Sequence, residues 1–344
     1  MGDDLAEILE YLPDREEEAL AQPRFRTEEF CTRFLRRIDE IRLFDPQAAL
    51  APASLAIRLA AMLPNPFFGQ AWATWASVQR ALANYDQAEV GHRVASLYLE
   101  DPVDLARFFR RQAYLLRDQG KFGAARKRIG RALAMYLASG DSHSRGCALA
   151  DLATVHLAEK NYGEAALRNT EALRHIDPER DPAYHESAVH NLAVALSLCD
   201  QPGARLEVLL KEIRQRRYTQ GSLPWAKHRW LEGLVFKRRH RYRRAEVTLR
   251  AARNLFVKLG AVHDAGLVTM DMAELYLSAG DWEKSARLAR EMFPVFKSLG
   301  IEREAVAAFR LYVKAAVGRT LTEVQIQKLR SLLLQLARVG TAHP

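Results

Sequence analysis

Small residues recur along this chain at a nearly constant spacing, and this repeat constrains the fold more than any other feature. The steps between successive positions are 37, 40, 40, 40 and 40 residues. Such a period is typical of an array in which each unit is one supersecondary element that cannot bury its apolar face without a neighbour. The sequence therefore predicts a stacked array with an extended surface for recognition. The recurring residues are Ala76, Ala113, Ala153, Ala193, Gly233 and Ala273.

One unit, residues 145–178, shows the pattern most clearly. Leu152 and Ala153 share one face of a predicted first helix. Tyr162 begins a second helix and is expected to fill the junction between the two helices, and Pro178 lies at the end of the unit. Aromatic residues stand at the same place in other units, where we expect them to be buried. They are Tyr85, Phe122, Tyr242 and Trp282.

This order of small residue, turn, aromatic residue and further small residue resembles the tetratricopeptide repeat family, over about residues 65–318. The resemblance implies an all-α fold, a right-handed α-solenoid of antiparallel helix pairs with about seven helical hairpins and a C-terminal capping helix. The period of 40 exceeds the roughly 34 residues typical of the family. The unit around Ala193 departs further, because Pro202 takes the aromatic position and Arg205 the small one.

The chain is expected to comprise an acidic amphipathic leader (1–24), an N-terminal helical hairpin or cap (25–64), the repeat array (65–318) and a C-terminal capping helix with a tail (319–344). Positions 1–20 carry eight acidic residues and one basic residue. Apolar residues of the leader fall at helical spacing. We expect the leader to dock on a partner, to fold back into a basic groove and compete with a ligand, or to be a frayed solubilising segment. The apolar residues are Leu5, Ile8, Leu9 and Leu12.

The sequence shows no constellation of catalytic residues. It contains no Gly-rich phosphate loop, no His-Glu-x-x-His and no Cys-x-x-Cys, and its three cysteines are scattered. We therefore predict a protein that is not an enzyme and uses neither a cofactor nor a metal. No window approaches 18 consecutive apolar residues, so we expect no membrane partner and a cytoplasmic location.

The resemblance to tetratricopeptide repeats implies that first helices line an inner surface that holds a protein or peptide partner. The inner positions of this chain carry basic side chains with Tyr114 and Trp230 among them, a combination that suits an acidic peptide or a chain carboxylate. Asn191 resembles the asparagine with which some family members hold the backbone of a ligand. The family's carboxylate clamp matches only in part, since Asp151 stands where an amide is expected. The predicted binding residues are Arg107, Arg110, Tyr114, Arg117, His190, Asn191, Lys227, Trp230, Lys237, Glu274, Arg310 and Lys314.

The densest run of positive charge is residues 237–244, where six of eight residues are Lys or Arg. The run spans a predicted turn between two helices, and Tyr242 within it is expected to be buried rather than to stack on a base. The cluster is predicted to bind an anion from a nucleic acid, an acidic protein segment or the acidic leader, or else to be a solvated turn. The candidate anion-binding residues are Lys237, Arg238, Arg239, Arg241, Arg243 and Arg244.

These observations together predict a non-catalytic scaffold that binds a protein or peptide, with an acidic or extended segment in its groove. At the level of the fold it is similar to the sensor arms of bacterial regulators, including peptide-pheromone receptors, which implies an adaptor or a regulatory subunit in a bacterial complex. Two alternatives remain open. One is a nucleic-acid-binding helical repeat protein that uses the 237–244 cluster. The other is a subunit that activates or inhibits a separate enzyme through its leader.

Overall fold

The structure is a computed structural model that describes residues 4–82, 84–199, 203–215, 220–259 and 261–298, together with residues 308 and 312. Within these ranges the regular secondary structure consists of sixteen α-helices and one 3₁₀ turn, Pro23–Phe25. The predicted all-α class is confirmed, whereas the number of hairpins stays a prediction. The helices are α1 Asp4–Glu10, α2 Glu16–Ala21, α3 Glu28–Phe44, α4 Leu50–Ala60, α5 Asn65–Ala81, α6 Tyr85–Ala95, α7 Pro102–Asp118, α8 Phe122–Ser139, α9 Ser142–Ala158, α10 Tyr162–Ala172, α11 Pro182–Leu198, α12 Gly203–Gln215, α13 Leu223–Arg238, α14 Tyr242–Lys258, α15 Val262–Ser278 and α16 Trp282–Ser298.

The chain divides into two compact units, residues 1–217 and 218–344. Unit 1 contains α1 to α12, and the described part of unit 2 contains α13 to α16. From α5 onward the helices form pairs, each a first helix of 16 or 17 residues followed by a second helix packed against it. The predicted capping helix and tail (319–344) lie outside the described residues.

Three first helices of unit 1 begin at aspartates that are 40 residues apart. The carboxylate of Asp101 accepts from the Val103 amide at 2.8 Å, and Asp141 and Asp181 accept in the same way from amides within the first turns of α9 and α11. Such N-caps satisfy amides that have no partner within the helix. The repeat period therefore reappears in the signals that start the helices.

The turns between paired helices also recur at the repeat period. Gly120, Lys160, His240 and Gly280 all adopt positive φ, between 54° and 79°. The amide after each of these residues donates to a carbonyl five residues earlier in the preceding helix, at 2.8 or 2.9 Å. This left-handed ending closes the first helix and turns the chain back. Glycine adopts it without strain, whereas Lys160 and His240 do so at a cost.

The recurring small residues lie where paired helices approach most closely. The alanines at these positions are buried almost completely. At Gly233, a Cβ atom would lie only 2.5 Å from Leu249 Cδ2 of α14, so α13 and α14 touch at this point. An alanine at position 233 would therefore force the side chain of Leu249 to shift, whereas the other units carry alanine at the corresponding position.

The aromatic residues that begin the second helices are less buried than the sequence analysis predicted. Tyr162 and Tyr242 are half-buried, and the side chain of Trp282 is 36% exposed. Each is the first residue of a second helix, where the chain has just turned back from the first helix. The prediction that these aromatic side chains are buried was therefore wrong for Trp282, whereas Tyr162 and Tyr242 are partly buried.

The leader packs against the N-terminal hairpin. Ile8 is completely buried in a core that includes Phe25, Phe30 and Phe34. The guanidinium of Arg58 on α4 pairs with both Glu16 and Glu17 of α2. These contacts hold the apolar face of the leader on α3 and α4, so the expectations of a frayed segment and of docking into a basic groove are both wrong.

First helices of successive pairs contact one another within each unit: α5 with α7, α7 with α9 and α9 with α11 in unit 1, and α13 with α15 in unit 2. We call the side of unit 1 on which α5, α7, α9 and α11 adjoin the first-helix face. Among the described residues, no helix is both long and apolar enough to cross a membrane.

Candidate binding site on the first-helix face

A buried carboxylate joins three successive first helices of unit 1. Asp151 on α9, whose side chain is 2% exposed, accepts from Arg110 Nε on α7 at 2.5 Å. It also accepts from the hydroxyls of Tyr114 on α7 and Tyr184 on α11. Arg110 Nη2 donates to the Tyr184 hydroxyl at 2.8 Å. We call these four side chains the Asp151 cluster.

The Asp151 cluster holds one positive and one negative charge. Burial alone lowers the pKa of Arg110, but the adjacent Asp151 carboxylate outweighs this effect and the pKa lies well above the usual value. Burial raises the pKa of Tyr114 and of Tyr184, and Asp151 raises both further, so each hydroxyl keeps its proton and donates. A buried ion pair of this kind requires these additional donors to satisfy the carboxylate.

A second cluster lies one turn further along α7. Asp118 accepts from Arg117 at 2.8 and 2.7 Å and from Arg80 of α5 at 2.5 Å. Burial alone raises the pKa of Asp118, but the two guanidiniums reverse this effect and lower the pKa to about 2. Arg117 also donates to Thr154 of α9 at 3.2 Å. One carboxylate therefore holds two arginines on this face.

The same two-to-one arrangement occurs at Asp39 of α3. Its carboxylate accepts from Arg111 of α7 at 2.7 Å and from Arg42 at 3.2 Å. Arg111 donates in addition to Thr74 of α5 at 2.8 Å. Across the three clusters five guanidiniums meet three carboxylates, so two positive charges remain in excess.

The contacts between repeats follow fixed sequence offsets. Arg110 and Asp151 are 41 residues apart, and so are Trp230 and Asp271, whose indole donates to the carboxylate at 2.7 Å in unit 2. In both pairs the donor stands three residues before the recurrent small residue, and the acceptor stands two residues before the next one.

A second offset, of 37 residues, joins Arg117 to Thr154. It also joins Lys237 to Glu274, at 2.7 Å. We call these contacts the inter-repeat ladder.

Asn191 occupies the acceptor position of the ladder on α11, but the matching donor position on α9 is Ala150. Its carboxamide makes no hydrogen bond to any described residue and is half-buried. Tyr184 precedes it by two helical turns on the same face of α11, a distance of about 10 Å along the axis. The first-helix face thus presents an amide with free donors and an acceptor next to the Asp151 cluster.

The structure changes the interpretation of the predicted binding residues. Arg110, Tyr114 and Arg117 do meet on one face, but they bind Asp151 and Asp118 rather than standing free for a ligand. Arg107 is exposed and pairs with Asp104 at 3.3 Å.

The predicted residues of unit 2 also bind acids of the same chain. Trp230 donates to Asp271 of α15, and Lys237 donates to the predicted Glu274. Lys227 is half-buried. His190 lies beside Asn191 on α11, whereas Arg310 and Lys314 fall outside the described residues.

The sequence analysis missed several members of these clusters. Asp118, Tyr184 and Arg80 were not singled out, and Asp151 was treated only as a departure from the family pattern. The offsets of 41 and 37 residues, close to one repeat period, identify only Asp151 as an acceptor for Arg110 and Tyr114. Arg80 and Asp118 are 38 residues apart, and Tyr184 is 33 residues from Asp151, so these contacts follow neither offset. In the part of the chain that the structure describes, no group of three or more His, Cys, Asp or Glu side chains is placed to hold a metal ion.

Comparison with solved structures identifies the fold. A Rap protein solved in complex with Competence and Sporulation Factor is similar, with a TM-score of 0.57 and 14% identity, covering 91% of this chain and 99% of that one. The apo quorum sensor NprR from B. thuringiensis matches with a TM-score of 0.53 and 11% identity, covering 90% of this chain and 99% of its own. The chain has the helical-repeat fold of tetratricopeptide proteins, so the predicted resemblance is confirmed.

A third similar structure is a signal transduction ATPase with a tetratricopeptide repeat sensor from Pyrococcus horikoshii. The match has a TM-score of 0.52 and 13% identity and covers 98% of this chain. The chain spans about half of that protein, 53% of its length. No protein-family model matches the sequence, and no curated protein matches it.

Proposed function

We propose that this chain is a non-catalytic scaffold, an adaptor or regulatory subunit, that holds an extended peptide segment along the first-helix face of unit 1. The observation that carries the proposal is Asn191, an acceptor position of the inter-repeat ladder to which no described residue donates, since the matching donor position is Ala150. A carboxamide there offers two donors and an acceptor, which is what a peptide backbone requires. A segment held at Asn191 would extend toward Tyr184 and the Asp151 cluster.

The excess positive charge of the first-helix face favours an acidic segment. Two arginines share Asp118 and two share Asp39, so a carboxylate of the ligand adds a partner without having to displace one. Guanidinium–carboxylate bonds are strong and directional. A ligand residue about three positions from the one held by Asn191 would reach Tyr184, since an extended chain advances about 3.3 Å per residue.

The similar structures support a role in recognition. One of them is a complex of a Rap protein with a factor, one is a quorum sensor, and one contains a tetratricopeptide repeat sensor. Sequence identities of 11% to 14% carry the fold alone, so the ligand must be identified from this chain's own residues.

The test is selection from a phage-displayed library of random linear peptides on the immobilised full chain, followed by fluorescence anisotropy with the enriched peptides. We expect enrichment of sequences that contain Asp or Glu, and a loss of affinity of at least about tenfold with Asn191→Ala, since a buried hydrogen bond contributes roughly 0.5–1.5 kcal/mol and leaving its partners unmet costs more. Gln87→Ala, which removes an exposed carboxamide of α6, is the matched control and should leave the affinity unchanged.

Two results would contradict the proposal. One is the absence of any enriched peptide. The other is equal affinity of the enriched peptides for the wild-type chain and Asn191→Ala. Circular dichroism of each variant checks that the helices are intact.

A further inference from the structure

The second helix of unit 2, α14, carries exposed arginines and valines in one straight line. Arg243, Val247, Arg250, Asn254 and Val257 follow one another at spacings of three and four residues, which places them on one face of a helix. All five side chains are exposed, Val247 by 63% and Val257 by 61%. We call this line the α14 outer stripe. It extends over about 21 Å, or four helical turns.

The positive charge at the start of the stripe has no compensation among the residues that the structure describes. Arg241, Arg243 and Arg244 make no ion pair or hydrogen bond with any residue that the structure describes. Further along the helix, α14 has a single acid, Glu246, and this acid already accepts from Arg250 at 2.5 Å and from the Tyr276 hydroxyl at 2.8 Å. The arginines that the predicted 237–244 cluster places on the α14 side therefore have no polar partner in the described part of the chain, whereas Lys237 pairs with Glu274.

The position of these arginines is also unfavourable for the helix. The first turn of α14 contains no acidic residue, and Arg241 at the N-cap forms no side-chain cap. Positive charges at this end oppose the helix dipole. A local arrangement that lowers the stability of its own helix, with no compensating contact in the described residues, is typical of a binding surface.

The chemistry of the stripe distinguishes between classes of partner. The planar guanidinium group of arginine binds both carboxylates and phosphates. The exposed valines contribute only against an apolar surface, which a phosphate backbone does not offer. The aromatic of the cluster, Tyr242, packs into the core of unit 2 and bonds to His240 at 2.9 Å, so it is not presented as a platform for a base.

We propose that the α14 outer stripe docks an acidic amphipathic helix of a partner protein. The partner helix would place Asp or Glu against the arginines and apolar side chains against Val247 and Val257. Helices that pack along such lines recognise each other through residues at i, i+4 and i+7. This surface lies in unit 2 and is separate from the peptide site proposed at Asn191.

The test uses the full chain and a synthetic helical peptide in which Glu and Leu alternate along one face at this spacing. A scrambled peptide of the same composition and a random duplex DNA are the comparison probes, each measured by fluorescence anisotropy at low and moderate salt. We expect the amphipathic peptide to bind at least about tenfold more tightly than the scrambled one. Arg243→Glu should weaken it by about tenfold or more and Val247→Ser by a few-fold.

Matched controls come from exposed residues of unit 1. Arg93→Glu on α6 and Val208→Ser on α12 make the same chemical changes elsewhere and should leave the affinity unchanged. Equal binding of the scrambled peptide would show that charge alone is recognised and would overturn the proposal. Tighter binding of the duplex, unaffected by Val247→Ser, would overturn it in favour of a nucleic-acid surface.

The two proposals can fail independently. If Asn191→Ala abolished binding of the helical peptide and Arg243→Glu did not, the peptide would bind on the first-helix face. That result would refute docking on α14. Peptides enriched on the first-helix face should keep their affinity for Arg243→Glu, whatever the outcome for the helical probe.

Discussion

Replacing His92 by leucine should stabilise unit 1 and remove part of its sensitivity to acid. His92 lies on α6 and is 3% exposed, with its ring 5.5 Å from that of Phe108. Neither ring nitrogen has a hydrogen-bond partner among the described residues. The position corresponds to Ile129 and Leu249 in other second helices, seven residues after the junction aromatic, so an apolar side chain fits the repeat.

The sign of the pH dependence follows from the direction of the shift. Burial, together with the charges of Arg111 and Arg80, lowers the pKa of His92 from 6.5 to about 3. Between these two values the unfolded chain binds a proton that the folded chain does not, so the free energy of unfolding falls as the pH falls. The loss is about 1.4 kcal/mol per pH unit, or about 2 kcal/mol at pH 5.

At neutral pH the folded and unfolded chains bind nearly the same number of protons at position 92. The increase in the free energy of unfolding with leucine then comes from removing two buried nitrogens that have no partner among the described residues. We expect about 1–3 kcal/mol from this effect. Urea unfolding of wild type and His92→Leu, followed by circular dichroism at pH 7 and pH 5, measures both contributions. Hydrogen exchange of α5, α6 and α7 assigns the change to this part of the array, because repeat arrays unfold locally.

The expected result is a difference between the two proteins that grows by about 2 kcal/mol from pH 7 to pH 5. Groups that titrate equally in both proteins cancel in this comparison. An identical pH dependence would refute the reasoning, since it would mean that His92 is protonated in the folded protein or that its ring is bound by a group that accepts the proton.

Three further substitutions test the packing and the inter-repeat ladder. Gly233→Ala should destabilise unit 2 by about 1–3 kcal/mol because its Cβ atom would overlap Leu249, whereas Gly163→Ala on α10, where nothing lies within 4 Å, should stabilise its helix by up to about 1 kcal/mol; thermal unfolding of both variants checks this. Asn169→Leu should stabilise α10 by about 1 kcal/mol or more, because the completely buried Oδ1 atom has no partner among the described residues, and a lower urea midpoint than wild type would contradict this. Asp151→Asn should lower the free energy of unfolding by about 3–5 kcal/mol because it leaves the guanidinium of Arg110 buried without its anion. Unchanged protection of the α7 and α9 amides from hydrogen exchange would show that the cluster does not stabilise the packing of these helices.

The sequence alone determined the repeat and its local signals. The period of 40 residues placed the small residues at the contacts between paired helices, where the alanines are buried and Gly233 touches Leu249. It also carried the residues that start and end the helices, Asp141 as an N-cap and Gly120 in the left-handed turn. These features were predictable because each depends on residues close together in the chain, and the repeat shows the same requirement several times.

The tertiary structure decided which polar groups are available. Arg110 and Arg117 were placed on the first-helix face by the repeat pattern, but only the packing of α7 against α9 and α5 showed that Asp151 and Asp118 neutralise them. The same packing left Asn191 without a hydrogen-bond partner among the described residues, because the donor position opposite it is Ala150. Pairing between side chains about 40 residues apart depends on how successive helices are spaced and rotated.

The leader shows the same division. The helical spacing of its apolar residues and its acidic residues could be recognised in the sequence. They predicted an amphipathic helix that packs against an apolar surface. Whether it docked on a partner, in a groove or on its own hairpin depended on which apolar surface lay within reach. Phe25 and Phe34 supplied that surface and Arg58 supplied the charges, so the leader became part of the N-terminal core. Periodicity reveals that a face must be buried, and only the folded chain determines what buries it.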